Sequence, residues 1–309
     1  MIIDTKKLKS QLSSNIVTRF APSPTGLLHL GHIASAIYVW GVAQAVGGKV
    51  KIRLEDHDRQ RSKSKYCKAI LEDLKWLGFI DHPNTEENTI KIQSNRSSIY
   101  KKHLKNLEKQ DLIYRCTCSR KKIQLENLSK HEELFYSGTC RNLNHPEESS
   151  HSLRYKVFQK KAYFFDHLNK KQIQEPHTQC GDFVIKDRKD NWSYHFCVVV
   201  DDFEENINLV IRGSDLQSST GRQILLFDDL CPSKTKFIRY LHHPLILDPL
   251  TSIKLSKQNK SEPIANLRAK GFSASRILGE AAYYMELNPQ NKDIKVSNLA
   301  KLIEGDFLS

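Results

Sequence analysis

The chain has 309 residues, enough for about two domains and a substantial core. Its composition, 39% hydrophobic and 27% charged, excludes a disordered tail or a fibre, and its formal charge of +13 points to a polyanion such as nucleic acid or a membrane surface. No apolar run approaches the roughly 18 residues of a spanning helix, and the polar start MIIDTKKLKSQLSS lacks a signal core, so a cytoplasmic protein with reduced thiols is expected.

Residues 1–14 read as a loose extension. NIVTRF is a short β-branched run, broken by the prolines and glycine of APSPTG. Ile33, Ile37 and Trp40 then recur at helical spacing until Gly47-Gly48, and Val50, Ile52 and Leu54 alternate in the next strand. Strand, helix, strand of this length predicts a βαβ unit and a parallel sheet. Two amphipathic helices follow. One carries Ile70, Leu74 and Leu77 and stops at Gly78; the other carries Tyr100, Leu104 and Leu107, with Lys101, Lys102, Lys105 and Lys109 outside.

Residues 112–185 change character and read as an insertion that splits a catalytic unit into 15–111 and 186–247. Apolar β character is expected at FCVVV and INLVI, a helix around Thr220–Leu230, and a lysine-bearing loop with a short helical C-terminus over 248–309.

The stretch RFAPSPTGLLHLGH, Arg19 to His32, carries the most information. No G-x-G-x-x-G is present, so a nicotinamide site has no support. A small-residue loop instead feeds a helix that begins near His29. Backbone N–H groups and the dipole at such a start favour an anion, and Gly31 allows close approach. His29 and His32 lie on one face, where two imidazoles can donate to phosphate oxygens or simply cap the helix. Far downstream, Ile253–Gln258 places Lys254 and Lys257 around a serine, suited to the charge of a leaving pyrophosphate.

Cys116, Cys118 and Cys140 form a cluster suited to tetrahedral Zn²⁺. His131, His145 and His151 are the better ligand types for the fourth position; Tyr136 is the other candidate, and three ordinary buried thiols the alternative. Cys67, Cys180, Cys197 and Cys231 are dispersed and read as core.

HLGH and KLSKQ, in this order and about 220 residues apart, resemble the HIGH and KMSKS signatures of class I aminoacyl-tRNA synthetases. RFAPSPTG, RLED at Arg53–Asp56 and NWSYHFCVVVDD…INLVIRGSDL are similar to the glutamate-specific branch, over about residues 16 to 265. The resemblance implies an α/β, Rossmann-like parallel-sheet catalytic domain with an inserted zinc-containing subdomain and a short helical C-terminus. It implies ATP and L-glutamate as substrates and Mg²⁺ with the ATP. Arg19 and Arg212 would meet the glutamate carboxylates, Glu55 the α-ammonium, and Tyr194 and Ser23 the same ligand. His29, Gly31, His32 and Lys257 would bind ATP, with His29, His32, Lys254 and Lys257 serving catalysis. The zinc set would be Cys116, Cys118, Tyr136 and Cys140, since the family pattern C-x-C…Y-x3-C fits here.

Only about 50 residues follow Lys257, too few for a helical anticodon-reading domain. With Gln258, this resembles a truncated branch that activates glutamate without tRNA and transfers it to queuosine in the anticodon loop of tRNA(Asp), here expected of a monomer. The competing expectations are a minimal enzyme charging a tRNA 3′ end, a non-catalytic zinc-containing RNA-binding protein, and a nucleotidyltransferase acting on a small molecule.

Overall fold

A computed structural model describes residues 2–12, 15–86, 90–127, 133–231, 238–246 and 262–307. The KLSKQ loop, with Lys254 and Lys257, lies outside the described residues, as does His131.

The first half of the chain builds α1 (Thr5–Ser10), β1 (Val17–Phe20), α2 (Leu30–Val46), β2 (Lys49–Leu54), α3 (Ser64–Trp76), β3 (Lys91–Ile92) and α4 (Ser97–Lys109). β1, β2 and β3 pair in parallel in that order, which is the expected βαβ topology. Gly47 ends α2 with φ 75°, a left-handed cap that a glycine adopts without strain.

The middle holds β4 (Ile113–Cys116), α5 (Arg120–Glu126), β5 (Ser152–Tyr155), β6 (Ala162–Asp166), β7 (Lys170–Gln174), α6 (Pro176–Gln179) and β8 (Phe183–Lys186). β4, β5 and β8 make an antiparallel three-stranded sheet. The hairpin β6–β7 does not join it. It pairs instead with strands from later in the chain: α7 (Tyr194–Glu204), β9 (Leu209–Gly213), α8 (Thr220–Leu230) and β10 (Arg239–His243) give a sheet of order β7-β6-β10-β9. The segment 112–185 is therefore divided between two sheets, because the apolar residues Ala162 and Phe164 on one face of β6 are buried against the second-half core. The parallel β1-β2-β3 sheet and the mixed β7-β6-β10-β9 sheet abut where Asn208 N–H donates to the Val17 carbonyl at 3.1 Å.

FCVVV is helical and lies inside α7, which corrects the β expectation. Ser193 caps that helix by accepting from the Phe196 N–H, and tertiary burial of Phe196, Val198 and Val200 overrides the β propensity of the valines. Residues 2–12 also depart from the loose extension expected of them. Ile3 and Leu8 are buried in the main core, and Ile3 N–H donates to Ile303 O at 3.0 Å.

Of the C-terminal helices, α10 (Ala274–Tyr284) and α11 (Leu299–Glu304) close over α2, while α9 (Ile264–Ala269) packs against α3. As a result α2 is buried nearly all round rather than along the single stripe that Ile33, Ile37 and Trp40 suggest. A Cβ at Gly41 would lie 2.5 Å from Ile303 Cγ1 and 2.9 Å from Leu299 O, so its missing side chain is what lets α2 and α11 approach. No helix among the described residues is long and apolar enough to cross a membrane.

Candidate active site

A cavity of about 560 Å³ opens at the C-terminal ends of β1, β2, β9 and β10, where ligands sit in open parallel sheets. Arg19, Ser23, His29, Gly31, His32, Glu55, Tyr194 and Arg212 all line it. Those eight residues come from strand ends, loops and helix starts scattered over nearly 200 positions, and the fold brings them around one cavity.

The loop after β1 is fixed to β2 by the Glu55 N–H, which donates to Pro22 O at 3.1 Å. That contact sets Ser23 and Glu55 on adjoining sides of the cavity. At the start of α2 the histidine pair caps the helix. Gly31 N–H donates to His29 Nδ1 at 3.1 Å and His29 N–H donates to His32 Nδ1 at 3.2 Å. A neutral imidazole has one acceptor and one donor nitrogen, so accepting at Nδ1 places the proton of each ring on Nε2. Capping and cavity lining are thus the same arrangement: it sets both rings at a helix N-terminus, a setting that favours phosphate oxygens.

The floor of the cavity is charged and buried. Arg19 Nε donates to Asp202 at 3.2 Å and its Nη1 to Ile211 O at 3.2 Å. Arg53, wholly buried beneath, pairs with Asp202 at 2.8 Å and Glu205 at 3.0 Å, and its Nη1 lies 3.9 Å from Glu55. Burial pushes the Glu55 carboxyl up to about 7; Arg53 and Arg19 pull it down, while Asp202 and Asp201 add to the rise. A cationic group entering the cavity beside Glu55 would reverse that shift. Burial also raises the Tyr194 phenol, so it stays a neutral hydroxyl on the same wall.

Arg212 is held differently. Its Nε donates to His242 Nε2 at 3.0 Å, Nη1 to Gln223 Oε1 at 2.7 Å and Nη2 to Thr220 Oγ1 at 2.9 Å. Behind it, His242 Nδ1 lies 2.5 Å from Asp166 Oδ2. Burial keeps His242 below its ordinary range, against the pull of Asp166. Burial would raise Asp166 too, but hydrogen bonds from His242 and the Asn169 backbone hold it low. Sequence reasoning passed over His242, Asp166, Thr220, Gln223, Asp202 and Arg53. The only local signal was the paired histidine run at the end of β10, since the partners lie on four separate elements.

At the other sheet, Cys116, Cys118 and Cys140 bring their Sγ atoms within 4.8 Å of one another. Tyr136 Oη lies 3.3 Å from Cys116 Sγ and 3.5 Å from Cys118 Sγ, and accepts the Cys140 N–H at 2.9 Å. Thiolates at about 2.3 Å from a tetrahedral Zn²⁺ would be ~3.8 Å apart, so four groups at this spacing fit such an ion. Burial would raise the Cys140 thiol, yet hydrogen bonds from Tyr136, the Thr117 backbone and His145 hold it down to about 6. His145 meets Thr117 Oγ1 at 3.3 Å beside this cluster, and His151 Nδ1 faces Ser149 O at 2.6 Å. Cys180, Cys197 and Cys231 are buried in the core and Cys67 is half-buried.

The family model for tRNA synthetases class I (E and Q), catalytic domain, matches residues 15–279. A glutamate–tRNA ligase of Leptothrix cholodnii is 34% identical over 304 residues, 96% of this chain and 62% of that protein. A glutamyl-Q tRNA(Asp) synthetase of Pseudomonas fluorescens is 36% identical over 275 residues, 88% of this chain and 87% of that protein. A glutamate–tRNA ligase structure from Elizabethkingia meningosepticum superposes with a TM-score of 0.74 at 24% identity, covering 94% of this chain and 66% of that one, a likeness of fold. The chain spans 62% and 56% of the length of two glutamate–tRNA ligases it matches, those of Leptothrix cholodnii and Syntrophus aciditrophicus.

Proposed function

Because the chain belongs to the class I tRNA synthetases of the glutamate and glutamine type, we propose that it activates glutamate with ATP and passes it to queuosine in the anticodon loop of tRNA(Asp). The observation that carries the activation step is the single cavity with cationic Arg19 and Arg212, acidic Glu55 and the His29–His32 helix start on its walls. The choice of queuosine over a 3′ end draws support from the Pseudomonas relative, which matches along 87% of its length.

In the first step a carboxylate oxygen of glutamate attacks the α-phosphorus in line; the new O–P bond forms as the bond to pyrophosphate breaks. Such chemistry needs positioning and charge neutralisation more than a protein nucleophile. Arg19 and Arg212 hold the two carboxylates, Glu55 the ammonium, Tyr194 and Ser23 add hydroxyl contacts, and Gly31 gives room for the nucleotide. His29 and His32 donate Nε2–H to phosphate oxygens. Lys254 and Lys257 are assigned to the departing pyrophosphate from sequence, and Mg²⁺ would share that charge. In the second step an RNA hydroxyl attacks the mixed anhydride and AMP leaves. Cys116, Cys118, Tyr136 and Cys140 are assigned to a structural Zn²⁺, so residues 112–185 are proposed as the zinc-bearing insertion even though β6 and β7 pair outside it.

The second reading, charging of a tRNA 3′ end, is favoured by the ligase names of the Leptothrix and Syntrophus relatives. Glutamate-dependent ATP–pyrophosphate exchange without RNA, followed by transfer of labelled glutamate to tRNA(Asp) with and without queuosine, tests both. Exchange without RNA and labelling only of the queuosine-bearing tRNA is the expected result. Exchange that appears only with tRNA(Glu) would move the assignment to the 3′ end, and silence in both would remove the enzyme reading.

A further inference from the structure

Arg19 and Arg53 each meet an acid, yet among the described residues Arg212 meets none. Its three donating nitrogens go to an imidazole, an amide oxygen and a hydroxyl, all neutral. A neutral acceptor fixes the guanidinium plane without cancelling its charge, so the cation stays available to an anion in the cavity.

That arrangement depends on one proton. The Asp166 carboxylate receives Leu168 N–H at 3.0 Å, Asn169 N–H at 2.8 Å and Asn169 Nδ2 at 3.0 Å on Oδ1, and His242 N–H at 3.1 Å on Oδ2. Surrounded by donors, it serves as an acceptor only, so at 2.5 Å the proton between Asp166 and His242 sits on Nδ1. Nε2 then carries a lone pair. It accepts from Arg212 Nε, and the Thr220 hydroxyl lies 3.2 Å away, placed to donate to it while receiving Arg212 Nη2. Gln223 is oriented in the same way: its Nε2 faces His195 Nδ1 at 3.3 Å, a ring that burial pushes down to about 3 and so keeps neutral, which turns Oε1 towards Arg212.

We propose that His242, held by Asp166 as the Nδ1–H tautomer, is a positioning residue that presents an uncompensated Arg212 to the cavity and so makes the site take an amino acid with a second carboxylate and refuse its carboxamide. The inference deepens the glutamate reading and rests on it. The other tautomer would point an N–H at the Arg212 Nε–H and break the contact.

His242→Phe keeps a ring of similar size and removes the acceptor; His242→Gln can return an oxygen near Nε2. In glutamate-dependent ATP–pyrophosphate exchange, His242→Phe should raise the glutamate KM by roughly 10- to 100-fold, the loss expected for one hydrogen bond to a charged group, with the ATP KM unchanged and the preference for glutamate over glutamine reduced. His242→Gln should recover most of it. Equal losses in both variants, or glutamate and ATP constants moving together, would mean a structural role and overturn the proposal. Nitrogen-15 NMR of ring-labelled wild-type protein, with His242 assigned by its absence in His242→Gln, reads the tautomer directly. A neutral Nδ1–H ring at pH near 7 is expected; an Nε2–H ring or an imidazolium overturns the relay. Wild-type silence in exchange would sink the glutamate reading, while the NMR result still decides the relay.

Discussion

Glu55 and Arg212 line one cavity with opposite electrostatic settings. Arg212 is met by neutral acceptors that leave its charge uncompensated, whereas Glu55 is buried against a floor where the acids Asp201, Asp202 and Glu205 surround Arg53. Desolvation dominates at Glu55 and lifts its carboxyl to about 7. A raised carboxyl binds a proton over the window between its ordinary value and about 7, and an arriving ammonium must displace that proton. The glutamate KM should therefore rise as pH falls below about 7, approaching about tenfold per pH unit, and be flat above it. Glu55→Gln should flatten the profile and weaken glutamate at every pH. Exchange rates against glutamate concentration across this range check both, and a profile unchanged in the variant would remove Glu55 from ammonium recognition.

Among the elements, the thiol cluster shows how a short turn sets chemistry. Cys116 ends β4, Cys118 follows two residues later, and Tyr136 is brought in by its N–H to Cys180 O at 2.9 Å. Gly181 makes that approach possible: its φ is +63° and an added Cβ would fall 1.9 Å from Tyr136 O. If the four groups hold Zn²⁺, protein purified without chelator should carry about one zinc per chain by elemental analysis, and Cys118→Ser should lose it. Chelator should also lower the thermal midpoint of the wild type more than that of Cys118→Ser, since the ion binds the folded state. Metal-free wild type would leave three buried thiols and a phenol as core.

At the level of the molecule, the chain's +13 charge has to be reconciled with a cavity suited to a small acidic ligand. The lysines of α4, exposed at Lys101, Lys102, Lys105 and Lys109, lie outside that cavity, as do most other basic residues. An RNA partner accounts for a surplus that an amino acid does not. Binding of tRNA should weaken steeply with salt, on the order of a thousandfold between about 50 and 200 mM for roughly six phosphate contacts, whereas the glutamate KM should change little. Fluorescence anisotropy over a salt series measures the first and exchange kinetics the second; a salt-insensitive tRNA affinity would remove the surface reading.

Much of this was legible along the chain because it is local. A β-branched run, a proline break and a 3.6-residue repeat mark β1, α2 and β2 without reference to anything distant, and His29 with His32 marks the helix start that they cap. Arg19, Glu55, Tyr194 and Arg212 were singled out before any cavity was visible by the family motifs they stand in, since the residue type of each alone fits a salt bridge or a cap equally well. Tertiary packing alone decided the rest. FCVVV became helical because burial on all sides satisfies either period, and the hairpin β6–β7 left its sequence neighbours for β10 because its buried face fitted there. The charge of Glu55, the tautomer of His242 and the uncompensated state of Arg212 depend on dielectric and on partners distant in sequence, such as Asp166 and His242, 76 residues apart, and Arg53 and Asp202, 149 apart, and no local pattern encodes those.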